Sequence, residues 1–555
     1  MISAPSQTAY TNATVEVQVA LTGATPEMLE LLVDGASYAR IVDSGHYTWN
    51  TTDIAEGSHT LVARATIYGE KRDSEPRVVV VDRTSPTVET RAPMPGATNV
   101  FMDDPFIITF SEALLPSSVG GSVSVSSQSQ PISSTVTLSE DGMTLTIGLP
   151  NLTVFPNTIS ASLAASLKDL AGNALGPVDW SFQLPIWVVV GGKDVNPVAG
   201  QHIVDLNSAN DVGDPLIVVV ESDGTRLNAS VLQWTGSAWN QLGSSVNADP
   251  LFNVTSPVVS RNRIGPVLAF AESDGAHLNT YAYQWNGNEW VQLGGTLNAV
   301  AGGDVNGGAI QGYGAGDVFS AFFQSGGGAL NDYAYKWSGS TWQPLGAAWN
   351  PVGAPPQGVV ARPALRASSA GTPFIATRGS DGNVYVAQWT AGAWQAVGGA
   401  VNPVPGQLSQ LNVSLALTKA DRPVLAFAQT DGAPAPVSNA YVMQWSGAAW
   451  VQRGSAINPA PGQNVGMNSR SLLLDSNDVP YVLVSQPNAA GTLKGHVQRL
   501  VGTNWVPLGG PLDTGSGLTY ASGSLMLDLK GRPIVAIRET DGVSSFAYVL
   551  RANLP

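Results

Sequence analysis

The sequence predicts an all-β protein, and three observations carry that reading. Only 12% of its 555 residues are charged, while Gly numbers 60 and Pro 37. This balance favours turn-rich sheets over helices, whose exposed faces carry many Lys and Glu. Short alternating apolar and polar runs, separated by turn residues, fill the first third of the chain. In the remainder one tryptophan-centred unit recurs. QWTGSAWNQLG, QWNGNEWVQLG, KWSGSTWQPLG, QWTAGAWQAVG, QWSGAAWVQRG and RLVGTNWVPLG carry Trp239, Trp290, Trp342, Trp394, Trp450 and Trp505, spaced by 51, 52, 52, 56 and 55 residues. A period of this size, made of short apolar runs, describes a small sheet that buries its faces only by stacking on copies of itself. The predicted architecture is two β-sandwiches followed by a seven-bladed β-propeller.

Residues 1–83 contain the runs ATVEVQVAL, MLELLVDG, HYTWN, SHTLVARATI and PRVVVVD, with turns at Asp34-Gly35 and Glu56-Gly57. Alternation without a helical period implies a sandwich of immunoglobulin size. The stretches VDGASYARI, YTWNTTDIAEGSHTLVARA and VVVVDRTSPTV resemble bacterial Ig-like modules, with Asp82 to Pro86 as the junction to the next module. Residues 84–185 hold PMPGATNV, DPFIITFSEAL, MTLTIGL, LKDLAGNAL and WSFQLP, which resemble a second bacterial Ig-like type marked by PxxGATNV and a late DxAGN turn. That resemblance implies spacers of a bacterial cell-surface or secreted protein, and so an extracellular chain whose export signal is not part of this sequence.

Residues 186–555 are the predicted propeller. Each repeat reads as four strands, as in SLALT (414–418), PVLAFAQ (423–429), AYVMQW (440–445) and AWVQRG (449–454), here called strands A to D. Trp187 lies 52 residues before Trp239 but has no half-repeat ahead of it, while the chain ends on a half-repeat, FAYVLR, without its Trp strand. The two halves are expected to pair and close the ring, leaving no free edge. The repeat is similar to seven-bladed propellers of bacterial surface proteins and loosely to kelch and WD-repeat domains. It lacks their GH…WD signature, the S-x-D-x-G-x-T-W box of sialidases and an integrin-type calcium loop, so the resemblance is architectural.

The recurring residues sort into structural and candidate functional columns. A Trp in every repeat is expected to wedge one blade against the next, burying about 150–250 Å². Trp349 shares a column with Val195, Val246, Leu297, Val401, Ile457 and Leu512, an apolar strand position. The next column, Asn196, Asn247, Asn298, Asn350, Asn402, Asn458 and Asp513, suits Asx-turns from strand D to the following strand A. Asp223-Gly224, Asp274-Gly275, Asp381-Gly382, Asp431-Gly432 and Asp541-Gly542 suit tight hairpins. Strand B ends in Glu221, Glu272, Gln324, Gly379, Gln429, Gln486 and Glu539. The B–C and D–A loops share one face, so Glu221, Glu272, Glu539, Gln324, Gln429 and Gln486 are the candidate ligand-binding residues, set against the plainer alternative of solvated strand ends. Glu539, Glu221 and Glu272 fall in neighbouring blades and form an acidic sector suited to a cation or a hydroxyl-rich sugar. Asp205, Asn207, Asp211 and Asp214, or Asp475, Asn477 and Asp478, are further candidates for calcium, with spacings that match no established loop.

Composition excludes several classes. A net charge of −15 without a Lys/Arg cluster argues against nucleic-acid binding. No Cys is present for disulfides, thiolate metal sites or nucleophiles, and no apolar run approaches the ~20 residues needed to span a bilayer. His46, His59, His202, His277 and His496 are scattered without zinc or triad spacing. The expected function is therefore a noncatalytic surface or secreted binding and adhesion protein taking carbohydrate or a protein partner at the propeller loop face, with no cofactor beyond calcium. The alternatives are a polysaccharide hydrolase or lyase, in which Glu221 pairs with Glu272 or Glu539, and a structural component of a surface layer or appendage.

Overall fold

A computed structural model describes every residue except 24, 43–44, 150–156, 193, 198–200, 210–213, 223, 327–328, 353–361, 432–436, 515–516 and 555. The expectations placed on Asp211, Asp223 and Gly432 lie outside the described residues. The chain is all-β: among the described residues the one helical segment is the 3₁₀ turn Pro116–Ser118. Among the described residues no helix is long and apolar enough to cross a membrane. Two compact units emerge, Met1–Pro185 with Leu554–Pro555, and Ile186–Asn553.

In the first unit, Ile2–Ala4, Thr14–Val19 and His46–Asn50 form one sheet. Ala9–Thr11, Arg77–Val81, Gly57–Ile67, Met28–Val33 and Ala36–Arg40 lie in that order in another. Val15, Val17 and Val19 point inward at the two-residue period of a half-buried strand, and Trp49, Leu31, Leu61 and Val79 complete the core. Further along, Val88–Ala92, Phe106–Phe110, Thr144–Gly148 and Thr135–Leu138 share one core with Gln130–Pro131, Val123–Ser127, Asn157–Leu163 and Val178–Leu184. Phe106 and Phe182 meet there edge to face, 4.7 Å between centroids.

In the second unit the described residues build seven four-stranded antiparallel sheets. Six use consecutive strands, as in Val254–Arg261, Pro266–Ser273, Leu278–Trp285 and Trp290–Gln292. The seventh joins Thr519–Leu527, Pro533–Thr540 and Ser545–Ala552 to Trp187–Val189, in the register Trp187↔Ala552, Val188↔Arg551 and Val189↔Leu550. The first strands of the sheets are His202–Ser208, Val254–Arg261, Val305–Tyr313, Ala364–Ala367, Ser409–Leu417, Leu472–Leu474 and Thr519–Leu527. Each packs on the next, and the last packs on the first.

These inner strands are joined across sheets by side chains rather than by ladders. Asn207 Nδ2 donates to Pro257 O, the Ser260 hydroxyl accepts from Gly312 N–H, and Asn412 Nδ2 donates to Met467 O. Asn468 Nδ2 reaches Gly523 O, and Ser524 meets Ser208 at 2.7 Å. Small polar side chains at inward positions thus satisfy backbone groups that would otherwise be buried and unpaired.

The tryptophans act between sheets as well. Trp290 Nε1 donates to Leu242 O at 2.7 Å, Trp342 to Leu293 O at 2.6 Å, Trp394 to Leu345 O and Trp450 to Val397 O, each in the preceding sheet. The glycine that follows strand D makes room for Trp285, the tryptophan that packs against Trp290. Gly243 has φ +68°, and a Cβ there would stand 2.7 Å from Trp285. Trp290→Ala removes both the wedge and the hydrogen bond, and is expected to cost ~3 kcal/mol in urea denaturation. A variant that melts like the parent would show that the indole is not a packing element.

Candidate functional site

The six residues expected to face a ligand are instead enclosed. Glu221 is 2% exposed, Gln429 1%, and Glu272, Gln324, Gln486 and Glu539 0%. They are not solvated strand ends, because at Glu272, Gln324, Gln429, Gln486 and Glu539 the D–A loop folds back over the strand-B terminus. Glu272 accepts from the N–H groups of Ala248 (3.0 Å) and Asp249 (2.6 Å). Gln324 Oε1 accepts from Ala299 and Val300 N–H while its Nε2 donates to Val300 O and Gly303 O. Gln429 and Gln486 repeat the pattern through Val404 and Gln407, and through Ala460 and Gln463. Glu539 accepts from the Thr514 hydroxyl. The Asn column adds to these cages: Asn298 and Asn402 Oδ1 accept from the N–H two residues on, as an Asx-turn requires, while their Nδ2 donate to Asn279 and Asn383 at the start of strand C. In the sixth sheet this amide pair becomes an ion pair, Lys494 with Asp513 at 3.0 Å.

Burial raises the pKa of Glu272 and Glu539, because enclosure penalises the charged form in a position that a neutral Gln fills in other repeats. A raised folded pKa gives a contribution to stability that is intact below the unfolded value near 4.5 and lost as pH rises through the folded value. Replacing both by Gln is therefore expected to raise the melting temperature by ~1–3 °C at pH 8 and to change little at pH 4. Equal effects at the two pH values would contradict this ionisation account.

A different cavity opens at the opposite ends of the inner strands, where strand A turns into strand B. It has a volume of about 560 Å³ and is walled by residues of six sheets. Its apolar part comes from Ala416, Leu472, Leu473 and Met526, all under 9% exposed. Its polar part comes from Arg261, Arg263, Gln311, Tyr313 and Arg366. Local geometry fixes this wall. Asn262 Oδ1 accepts from Ile264 and Gly265 N–H, its Nδ2 donates to Gln284, and Arg263 N–H donates to Gly314 O. Gly312 sits so close to strand A of the neighbouring sheet that a Cβ would lie 2.3 Å from the Arg261 carbonyl. The sequence offers no repeat signal for this cavity, since its arginines occupy unrelated columns.

A second cavity of about 190 Å³ lies toward the other ends of the inner strands, bordered by Asp205, Asn207, Arg362, Asn412, Asn468 and Arg470 among others. Among the described residues, the carboxylates proposed for calcium are engaged as structural acceptors. Asp205 pairs with Arg362 at 3.5 Å, Asp214 Oδ2 accepts from Gln233, Asp475 caps its own turn, and Asp478 accepts from Lys419 N–H. In the first unit Asp82, Glu112 and Asp169 bring carboxylate oxygens within 4.8 Å of one another. Asn173 of the DLAGN turn donates to Asp169 and to Asp82 O. Burial, with Asp82 and then Asp169 beside it, pushes Glu112 up to about 7.

Residues 82–184 match the family model of the bacterial Ig-like domain. No curated protein matches the sequence. Among solved structures, the fucose-specific lectin from Aleuria aurantia is similar at 16% identity over 57% of this chain and 97% of the lectin, TM-score 0.36. AofleA from Arthrobotrys oligospora is similar at 13% identity over 58% and 87%, TM-score 0.35. The polysaccharide lyase Uly1 is similar at 10% identity over 65% and 92%, TM-score 0.40.

Proposed function

We propose that the chain is an exported bacterial surface or secreted binding protein, in which residues 1–83 and 84–185 are Ig-like spacers and residues 186–555 a seven-bladed β-propeller closed by its first strand. Its ligand is carbohydrate, taken at the mouth of the axial cavity. One observation carries this reading: a space of about 560 Å³, the size of a small-molecule site, lies where strand ends from six sheets converge. Its mix of an apolar floor with amide, phenol and guanidinium groups suits a sugar ring, which offers C–H faces and hydroxyl edges together. Among the described residues the lining holds no carboxylate or histidine, which favours binding over hydrolysis. The Glu/Gln column serves here to hold the loops of the other face.

The test is a glycan array probed with the full chain and with Leu417→Trp, which fills the cavity from a half-buried wall position. The expected result is a defined set of bound glycans, with signals at least ~10-fold weaker for the variant at unchanged melting temperature, a loss of about 1.4 kcal/mol. Full binding by a folded Leu417→Trp protein would place the ligand elsewhere.

A further inference from the structure

We infer that the saccharide bound in the axial cavity is anionic, carrying a carboxylate or sulfate ester that the arginines of the wall recognise. This rests on the reading of that cavity as the carbohydrate site and specifies its ligand. Arg261, Arg263 and Arg366 line one space, and no carboxylate does among the described residues, in a chain whose net charge is −15. Several cations elsewhere sit against acids, among them Arg64 on Asp73 at 2.6 Å, Lys336 on Asp317 at 3.0 Å and Arg532 on Asp528 at 2.8 Å. In the cavity Arg261 donates to the backbone carbonyl of Asp214 and Arg366 to that of Leu365. The carboxylate of Asp214 is turned to Gln233. Among the described residues the Arg263 guanidinium makes no hydrogen bond or ion pair, while its backbone is pinned by Asn262 and Gly314. An exposed guanidinium on a pinned backbone is available to a ligand, and its fork matches two oxygens of a carboxylate or sulfate.

The overall negative charge does not oppose this binding at close range. Exposed charges are largely screened beyond about 8 Å at physiological ionic strength, so the groups that line the cavity, Arg263 among them, set the potential that a ligand meets there. Neutral sugars gain only ordinary hydrogen bonds from the same wall, whereas charge-assisted ones are roughly twice as strong.

The experiment measures binding of the full chain to an array of neutral, uronic-acid-bearing and sulfated oligosaccharides, followed by titration of the best acidic probe and its neutral methyl ester or desulfated form. Uronate and sulfate arms distinguish the two sources of the oxyanion. The expected result is at least ~10-fold preference for the charged form, weakening as NaCl rises from 50 to 500 mM. Arg263→Gln with Arg366→Gln abolishes that preference, and Lys71→Gln with Arg72→Gln, a charge-matched change in the first unit, leaves it intact. Equal affinity for charged and neutral forms overturns the anion assignment while leaving the carbohydrate reading standing. Charged glycans bound equally well by the double variant, shown folded by its melting temperature, overturn it too. Absence of binding to every glycan overturns both.

Discussion

A full-length chain lacking residues 187–196 is expected to aggregate, or to lose the cooperative melting of its second unit. Trp187–Val189 supplies the fourth strand of the last sheet, and its loss bares the edge of Ser545–Ala552 to pairing with other chains. The segment also buries Val188 to 0%, Val190 to 2% and Val195 to 5% exposure. Each such valine is worth ~1.5–3 kcal/mol. Trp187 Nε1 donates to Leu508 O in the preceding sheet, and Val190 O accepts from Trp239, so both neighbours lose a staple. Together these losses are comparable with the ~5–15 kcal/mol that stabilises a folded domain. Calorimetry and light scattering check the result, and a monomeric protein melting like the parent would sink the closure account.

The second large effect is expected at Arg470. The residue is 7% exposed, and its guanidinium donates from beside the inner strand of the sixth sheet to Ser208 O in the first and Val259 O in the second, the latter at 3.0 Å. One side chain thus reaches two distant sheets. Arg470→Met removes the charge and strands two buried acceptors, at ~1–3 kcal/mol each, so a loss of about 3 kcal/mol is expected by urea denaturation. Both bonds leave Nη1, and Arg470→Lys is expected to recover less than half, because the lysine side chain is shorter and its ammonium is more strongly hydrated in the unfolded chain. Full recovery by Lys would reduce Arg470 to a simple positive charge.

The candidate site was legible only in part. The Glu/Gln column is visible as a pattern, and its position at the end of strand B follows from the repeat. Whether such side chains meet solvent depends on the path of the next loop, and Glu272 is enclosed because residues 248–249 return over it. Lys494 and Asp513 look like two independent departures from their columns, yet they form one exchanged pair. Arg263 and Arg366 carry no repeat signal at all.

By itself the sequence determined the all-β class, the tryptophan period and the Asn turns, because these rest on local chemistry: strand alternation, the size of an indole and the Asx side chain. Only the tertiary structure decided which polar residues are buried and which line a cavity. The cavity wall is assembled from residues in six sheets, from Arg261 to Leu527. Such convergence depends on how sheets stack around a common axis, a relation between distant segments that no local pattern encodes.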